Sequence, residues 1–233
     1  MLYRIERYSN HMAGPVKSRA YDNSRREAAA RETRRAVLTA ARDLWLAQGY
    51  AGTSLAEIAT AAGVSVQTVY GHFQSKRNLL KNVVDVAIVG DDEPVALADR
   101  PEVAAINAER DAERKSRMHA ALGVQIAARM EPIDRMMRSA AQVDPDVAEQ
   151  VAAGDRGRFM GMMQAAQDYR VAGVLRDDLT DEQVARRLWM LLGPATYRPF
   201  VVDQGWPVEE FETWLGDMLI ASLLPPKPQG RRR

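Results

Sequence analysis

The chain has no cysteine, few aromatic residues, three histidines and no long apolar run. Without cysteine, neither disulfide bonds nor thiolate zinc sites can form. No apolar stretch approaches the roughly 20 residues that cross a bilayer, and the N-terminal stretch lacks an apolar signal-peptide core. We therefore expect a cytoplasmic protein with no membrane partner. His119 is the one histidine beyond residue 81, so neither a metal nor a cofactor is expected.

Charge is distributed unevenly along the sequence. Residues 1–81 contain 13 Lys and Arg against 6 Asp and Glu, a net charge of +7. Residues 82–226 contain 15 Lys and Arg against 25 Asp and Glu, a net charge of −10. A basic region concentrates phosphate-bearing polyanions near its surface. The asymmetry favours two regions with different partners, of which the first binds a polyanion.

Apolar residues recur at helical spacing from Arg31 onward, and no convincing alternating strand is present. Good capping residues stand where helices are predicted to start: Ser54, Ser65, Ser75, Asp144 and Thr180. Prolines at positions 101, 132 and 145 suit first turns or helix breaks. The pattern predicts an all-α protein.

Two short helices separated by a tight turn are predicted between residues 54 and 73. Ser54 and Glu57 form a capping-box pattern, and Gly63 supplies the left-handed residue that ends the first helix. Val69 and Phe73 face inward on the second helix. This is the helix-turn-helix arrangement, in which the second helix enters the major groove of DNA.

The outer face of the second predicted helix carries groups suited to DNA. Gln67 can pair with an adenine edge, and Thr68 can touch a thymine methyl group or a phosphate. Gly71 has no side chain on this face, so that the backbone of the helix can approach DNA. Tyr70 and His72, with Lys76 just beyond the helix, carry donors suited to phosphate oxygens on either side of the groove. Taken singly, Tyr70 could instead be a partly buried tyrosine and His72 an ordinary surface histidine.

The segment "TSLAEIATAAGVSVQTVYGHFQSKRNLL" resembles the DNA-binding segment of the tetracycline-repressor (TetR) family of bacterial transcription regulators. The resemblance extends over residues 34–80, and Val66-Gln67 replaces a Lys-Gly pair that many relatives have. It implies phosphate contacts for Thr53, Tyr70, His72 and Lys76, and base or backbone contacts for Ser65, Gln67 and Thr68.

The resemblance implies an all-α fold with an N-terminal three-helix helix-turn-helix DNA-binding domain and a larger helical ligand-sensing and dimerisation domain. We predict a disordered basic arm (1–25), the DNA-binding domain (26–81), the ligand-binding and dimerisation domain (82–225) and a flexible basic tail (226–233). The expected partners are double-stranded operator DNA, a small hydrophobic effector and a second copy of the chain. A repressor that binds a palindromic site and is released by the effector is the expected function.

Apolar and methionine-rich stretches in the second region predict the effector pocket. Its candidate lining residues are Met118, His119, Leu122, Gln125, Ile126, Met130, Phe159, Met163 and Trp189. Taken one at a time, such residues more often fill a plain core than touch a ligand. Because no buried cluster of acids or bases is evident in the sequence, we expect a neutral or weakly charged aromatic or lipid-like ligand.

Two helices near the end of the chain have apolar stripes that look wide for one domain to cover. A four-helix bundle formed by two chains would bury them, and family resemblance implies the same dimer. The candidate interface residues are Val184, Leu188, Leu191, Leu192, Phe211, Trp214, Leu215 and Met218.

Two alternative functions stay open. A helix-turn-helix protein can act as a nucleoid or structural component without a ligand, and an all-helical enzyme can assemble its site from residues distant in sequence. The sequence contains no nucleophile elbow, phosphate-binding loop or His/Glu metal motif. We therefore expect a protein that is not an enzyme.

Overall fold

The computed structural model describes residues 18–226, with side chains from residue 25 onward. This part of the chain contains helices and no strand, which confirms the predicted all-α class. None of the described helices is long and apolar enough to cross a membrane. The α-helices are α1 (Ser18–Gln48), α2 (Leu55–Ala61), α3 (Val66–Phe73), α4 (Lys76–Val89), α5 (Pro101–Ala108), α6 (Ala112–Ala140), α7 (Pro145–Val171), α8 (Asp181–Leu191), α9 (Pro194–Tyr197) and α10 (Val208–Leu223).

Helix α1 begins earlier than the sequence pattern predicts. Residues 18–25 of the predicted disordered arm are helical, because they run directly into a stretch rich in Arg, Ala and Glu, which are strong helix formers. Residues 1–17 of that arm lie outside the described residues, as do residues 227–233 of the predicted basic tail. The helix ends at Gln48, and Gly49 follows with φ +80°.

The predicted helix caps are confirmed. Ser54 and Thr180 each accept a hydrogen bond from the backbone three residues later and form complete capping boxes with Glu57 and Gln183. The remaining predicted caps, Ser65, Ser75 and Asp144, accept backbone hydrogen bonds at the starts of α3, α4 and α7. Each cap satisfies amide groups that the first helical turn leaves without partners, so these starts are determined locally.

Helix α6 continues through Pro132, where the sequence suggests a break or a first turn. An interior proline removes a backbone hydrogen bond and costs about 3 kcal/mol. Packing on both sides offsets that cost, since Val124 and Ala127 are buried in one core and Ile133 and Met137 in another. Tertiary contacts therefore override the local preference.

Two hydrophobic cores hold the helices together. The first lies among α1–α4, includes Trp45, and also takes residues from α6 and from the start of α7. The second lies among α6–α10 and includes Tyr169, Leu188 and Phe211. Helix α4 runs across the predicted boundary between residues 81 and 82, and Ala87 beyond that boundary still belongs to the first core. Helices α4 and α6 therefore join the two regions.

Candidate nucleic-acid interface

The turn between α2 and α3 has the geometry that the sequence predicts. Gly63 has φ +68°, a left-handed conformation that favours glycine. Its amide donates to the carbonyl of Thr60, and the Val64 amide donates to the carbonyl of Ala59. The Ser65 hydroxyl then accepts from the Thr68 amide at 3.1 Å. These bonds let α3 begin at Val66, with only four residues between it and the end of α2 at Ala61.

Helix α3 presents one buried and one exposed face. Val69 and Phe73 are buried against the first core. The exposed residues are Gln67, Tyr70, Gly71 and His72, while Thr68 is half-buried with its hydroxyl 2.8 Å from that of Ser65. A Cβ atom added to Gly71 would meet no other atom within 4 Å. The outer face of α3 therefore has no side chain at Gly71 and has polar side chains around that position.

Arg34 on α1 holds the back of α3 in position. Its guanidinium lies 5.1 Å from the centroid of the Phe73 ring. The same group donates to the Asn82 side chain at 2.7 Å and to Asp92 at 2.9 Å. One side chain thus connects α1, α3, α4 and the segment after α4. The sequence pattern did not reveal this role, because these partners lie 48 and 58 residues from Arg34.

Lys76 and Thr53 are engaged within the chain. The Lys76 ammonium donates to the Tyr50 carbonyl at 2.5 Å and lies 4.2 Å from the Tyr50 ring centroid. Two further ammonium hydrogens remain for a phosphate. Thr53 is 1% exposed, and its hydroxyl donates to the Gly49 carbonyl at 3.0 Å. Thr53 therefore stabilises the turn after α1 and has committed the donor that a phosphate contact would need.

Electrostatics at this end of the molecule follow from burial and from caps. Burial lowers the pKa of Lys76, and the nearby carboxylates of Asp144 and Glu57 partly offset that effect. The pKa of Glu57 is lowered, first by the hydrogen bond from the Ser54 backbone amide. Arg77 is not free, since it pairs with Glu149 at 2.7 Å. Lys76 is the first residue of α4 and stands three residues after the end of α3.

Comparison with known proteins agrees with this geometry. Residues 37–83 match the family model described as bacterial regulatory proteins of the tetR family. These residues form a TetR-family DNA-binding domain. The matched range covers the end of α1 and all of α2 and α3, and it continues into α4.

Curated relatives extend the match only slightly beyond the TetR-family domain. The HTH-type transcriptional regulator AcrR of Shigella flexneri is 41% identical over 58 residues, which is 25% of this chain and 27% of that protein. The HTH-type transcriptional repressor BepR of Brucella suis biovar 1 is 36% identical over 76 residues, 33% of this chain and 36% of that protein. The chain thus matches about a quarter to a third of the length of these relatives, both of which are named as transcriptional regulators.

The fold likeness extends over most of the chain. A structure described as a transcriptional regulator from Saccharomonospora viridis in complex with choline has a TM-score of 0.60 at 19% identity. The likeness covers 84% of this chain and 99% of that one. A structure described as a TetR-family transcriptional regulator from Rhodococcus sp. has a TM-score of 0.64 at 15% identity, over 82% of this chain and 98% of that one. The described bundle therefore has a TetR-like fold, with an N-terminal helix-turn-helix and a helical second region.

The residues predicted to line an effector pocket are spread over α6, α7 and α8 of the TetR-like fold. Met118, His119, Leu122, Ile126, Phe159, Met163 and Trp189 are half-buried, and Gln125 is exposed. Met130 packs against the first core, whereas Phe159 and Met163 pack against the second. Two open clefts, one between α1 and α2 and one beside α4, are lined by none of these residues. Trp189 is covered by the Arg158 guanidinium, 4.0 Å from its ring centroid.

The structure corrects the predicted dimer interface. Val184, Leu188, Leu192, Phe211 and Leu215 are each at most 8% exposed within a single chain. Helix α8 packs on α7 and helix α10 packs on α6, so the protein's own helices cover these stripes. The remaining predicted residues, Leu191, Trp214 and Met218, are half-buried. Met190 on α8, which the sequence pattern did not single out, is 57% exposed.

The larger region contains buried polar groups that the sequence analysis missed. Lys115 and Tyr169 are each 1% exposed and lie in the second region beside His119. The expectation of a region without a buried base cluster is therefore wrong. A helical pattern shows that position 115 shares a face with position 119, but not that another helix covers it.

Among the described side chains, no group of three His, Asp or Glu residues is arranged to hold a metal ion.

Proposed function

We propose that the protein is a ligand-responsive transcriptional regulator that binds a palindromic DNA site as a homodimer. The observation that carries this proposal is the exposed polar face of α3 on a helix whose back is anchored in the first core. Such a helix can enter the major groove without any rearrangement of the domain. The match of residues 37–83 to the TetR-family model supports the same role.

Individual residues of α3 and α4 have distinct proposed roles. Gln67 reads a base edge, and Thr68 contacts a base or the adjacent backbone. Tyr70, His72 and Lys76 donate to phosphates on the two sides of the groove. Ser65 holds the start of α3 and presents its hydroxyl beside that of Thr68. Gly71 allows the DNA backbone to come close to α3.

The proposed dimer uses the outer surfaces of α8 and α10. Met190 is exposed, and Leu191, Trp214 and Met218 keep part of their apolar surface accessible. A two-fold pairing of these surfaces covers that area and places two copies of α3 on one side of the molecule. Two copies related in this way read two half-sites in opposite orientations, so the DNA site is palindromic.

Release by a small hydrophobic molecule completes the proposal. BepR is named as a repressor, and the Saccharomonospora viridis protein was solved with choline. In this chain the Arg129 guanidinium donates to the carbonyls of Ala87 and Ile88 at 2.8 and 3.0 Å, which connects α6 to the last turn of α4. A ligand that shifts α6 therefore moves α4 and, with it, the separation of the two α3 helices. Such a ligand must bind the two dimer conformations unequally.

Selection of bound duplexes from a random pool tests the proposal. We expect a palindromic winner whose half-sites are one helical turn or a multiple of it apart. Sedimentation velocity on the free protein and on the complex gives the stoichiometry, which we expect to be an even number of chains per site. Uniform enrichment without a preferred sequence would contradict the proposal and would fit a structural DNA-binding protein instead.

A further inference from the structure

A buried polar cluster lies between α6 and α7. It consists of Lys115, Ser116 and His119 on α6 and Tyr169 on α7, and we refer to it as the Lys115 cluster. Lys115, Ser116 and Tyr169 are each at most 1% exposed. His119 is half-buried as a residue, and its ring stacks on that of Tyr169 with centroids 5.9 Å apart and an interplanar angle of 15°. Polar groups this deep in a helical bundle need partners.

The charge of Lys115 has no acidic partner within the cluster. Its ammonium donates to the carbonyls of Ile106 at 2.8 Å and Asn107 at 3.4 Å, in the last turn of α5. It also lies 5.3 Å from the ring centroid of Tyr169. Among the described residues no carboxylate forms an ion pair with it. Burial lowers the pKa of Lys115, and Asp168 and Glu109 offset this only from a distance. A buried cation held by neutral groups alone is poorly compensated.

Two further atoms of the cluster have no hydrogen-bond partner in the described part of the chain. These are Nδ1 of His119 and the hydroxyl of Tyr169, both shielded from solvent. The Ser116 hydroxyl lies near that of Tyr169 without an aligned hydrogen bond and affects its pKa. The Ser116 hydroxyl, in contrast, donates to the Ala112 carbonyl at 2.9 Å. Leaving a buried polar atom unpaired costs free energy that a bound group can recover. The cluster therefore combines one uncompensated positive charge with two unused hydrogen-bonding positions.

The protonation states of these groups favour an acceptor. Burial raises the pKa of Tyr169 to about 12 against the opposing effect of the Ser116 hydroxyl, so its phenol keeps its proton and can donate. Burial, with the positive charge of Lys115, lowers the pKa of His119 to about 4, so its ring is neutral at pH 7 and can also donate. A group that accepts several hydrogen bonds and carries negative charge matches all three side chains.

We propose that the Lys115 cluster binds the carboxylate of an apolar organic acid, and that this acid is the effector of the regulator. This inference rests on the proposed function. The apolar part of the acid lies along half-buried residues further along the two helices, Leu122 on α6 and Met163 and Phe159 on α7. Met163 and Phe159 pack against the second core. Met and Phe side chains can separate to admit such a group.

A charged effector replaces the neutral one expected from the sequence. A neutral ligand would leave the Lys115 charge uncompensated, and a cation would be repelled by it. A carboxylate held between α6 and α7 would also contact α6, which is the helix that Arg129 connects to α4. Helix α6 therefore both contributes residues to the proposed acid site and contacts α4, which leads to the DNA-binding helices.

Calorimetric titration with matched acid and amide pairs tests the proposal on the full chain without DNA. The probes are 2-naphthoate with 2-naphthamide for an aromatic acid, and decanoate with decanamide for an aliphatic one. We expect at least one acid to bind the unmodified protein ten times more tightly than its amide. Lys115→Met is expected to abolish that preference, and Tyr169→Phe to reduce it several-fold. Lys81→Met removes an exposed lysine of α4 and is expected to leave it unchanged.

The two conservative variants separate binding from folding. Tyr169→Phe removes a hydroxyl whose polar neighbour, Ser116, already donates to the Ala112 carbonyl, so we expect its thermal unfolding temperature to be close to that of the unmodified protein. If Lys115→Met lowers stability but keeps the acid preference, Lys115 only caps α5 and the proposal is overturned. Equal affinity for acid and amide, or no binding of either acid, also overturns it. DNA selection on the unmodified protein tests the proposed function separately, so the two failures are distinguishable.

Discussion

The ammonium of Lys76 lies against Tyr50, 2.5 Å from its carbonyl oxygen and 4.2 Å from its ring centroid. This contact joins the first residue of α4 to the turn that follows α1. It also fixes the position of the Lys76 side chain at the start of α4, three residues after the end of α3. A preformed cation at this position needs little reorganisation to meet a phosphate.

Lys76→Ala is expected to weaken binding to every DNA sequence. The loss of one phosphate contact should reduce the slope of log affinity against log salt by about one. Titrations of a labelled duplex at several salt concentrations measure this slope. Lys81→Ala, which removes an exposed lysine of the same helix, serves as the matched control and should leave the slope unchanged. An unaltered slope for Lys76→Ala would remove Lys76 from the interface.

Gly71→Ala is expected to have opposite effects on stability and on DNA binding. An added methyl group meets nothing within 4 Å in the free protein, and alanine is favoured over glycine in a helix by about 1 kcal/mol. Stability in urea should therefore rise. Affinity for the selected DNA should fall about tenfold, equivalent to roughly 1.4 kcal/mol, because the methyl group occupies space that the DNA backbone needs.

Gly157→Ala provides the control for the Gly71 experiment. Gly157 is an exposed glycine of α7 with open space in front of it. Its replacement should raise stability by a similar amount and leave DNA affinity unchanged. A Gly71→Ala protein that is more stable and binds DNA as well as the parent would show that the centre of α3 does not approach the DNA closely.

The features that the sequence predicted correctly are determined by neighbours along the chain. Capping boxes at Ser54 and Thr180 and the left-handed Gly63 depend on residues within three or four positions, and a pattern reveals them directly. The exposed face of α3 follows in the same way from the spacing of Val69 and Phe73.

The features that the sequence did not reveal depend on contacts between distant segments. The position of Pro132 inside α6 is tolerated because two separate cores hold the helix on either side. An apolar stripe such as that of α8 looks the same whether it packs against the same chain or against a second copy, so the interface set could not be separated from the core. The Lys115 cluster is missed for a related reason, since a lysine in a helical pattern is normally exposed.

Met190→Asp is expected to convert the proposed dimer into a monomer while the fold is retained. Met190 is 57% exposed in the single chain, so a charge there is tolerated until a second copy covers it. Sedimentation velocity at micromolar concentration measures the change, and circular dichroism checks the helix content. Val171→Asp, at an 83% exposed position near the end of α7, should remain dimeric. A dimer that tolerates aspartate at position 190 would place the interface elsewhere.

His119 is expected to make the protein less stable as the pH falls from about 6.5 to about 4. Burial and the charge of Lys115 hold its pKa at about 4 in the folded chain, whereas an unfolded histidine titrates near 6.5. Between these values the unfolded chain binds the proton more readily, so protonation favours unfolding, by up to ~3 kcal/mol at the lower limit.

Urea unfolding at pH 7, 6, 5 and 4.5 measures the loss. His119→Gln has no proton to bind and should lose less stability over the same interval, while carboxylates contribute equally to both proteins. Parallel pH profiles for the two proteins would mean that His119 is already accessible to protons in the folded state.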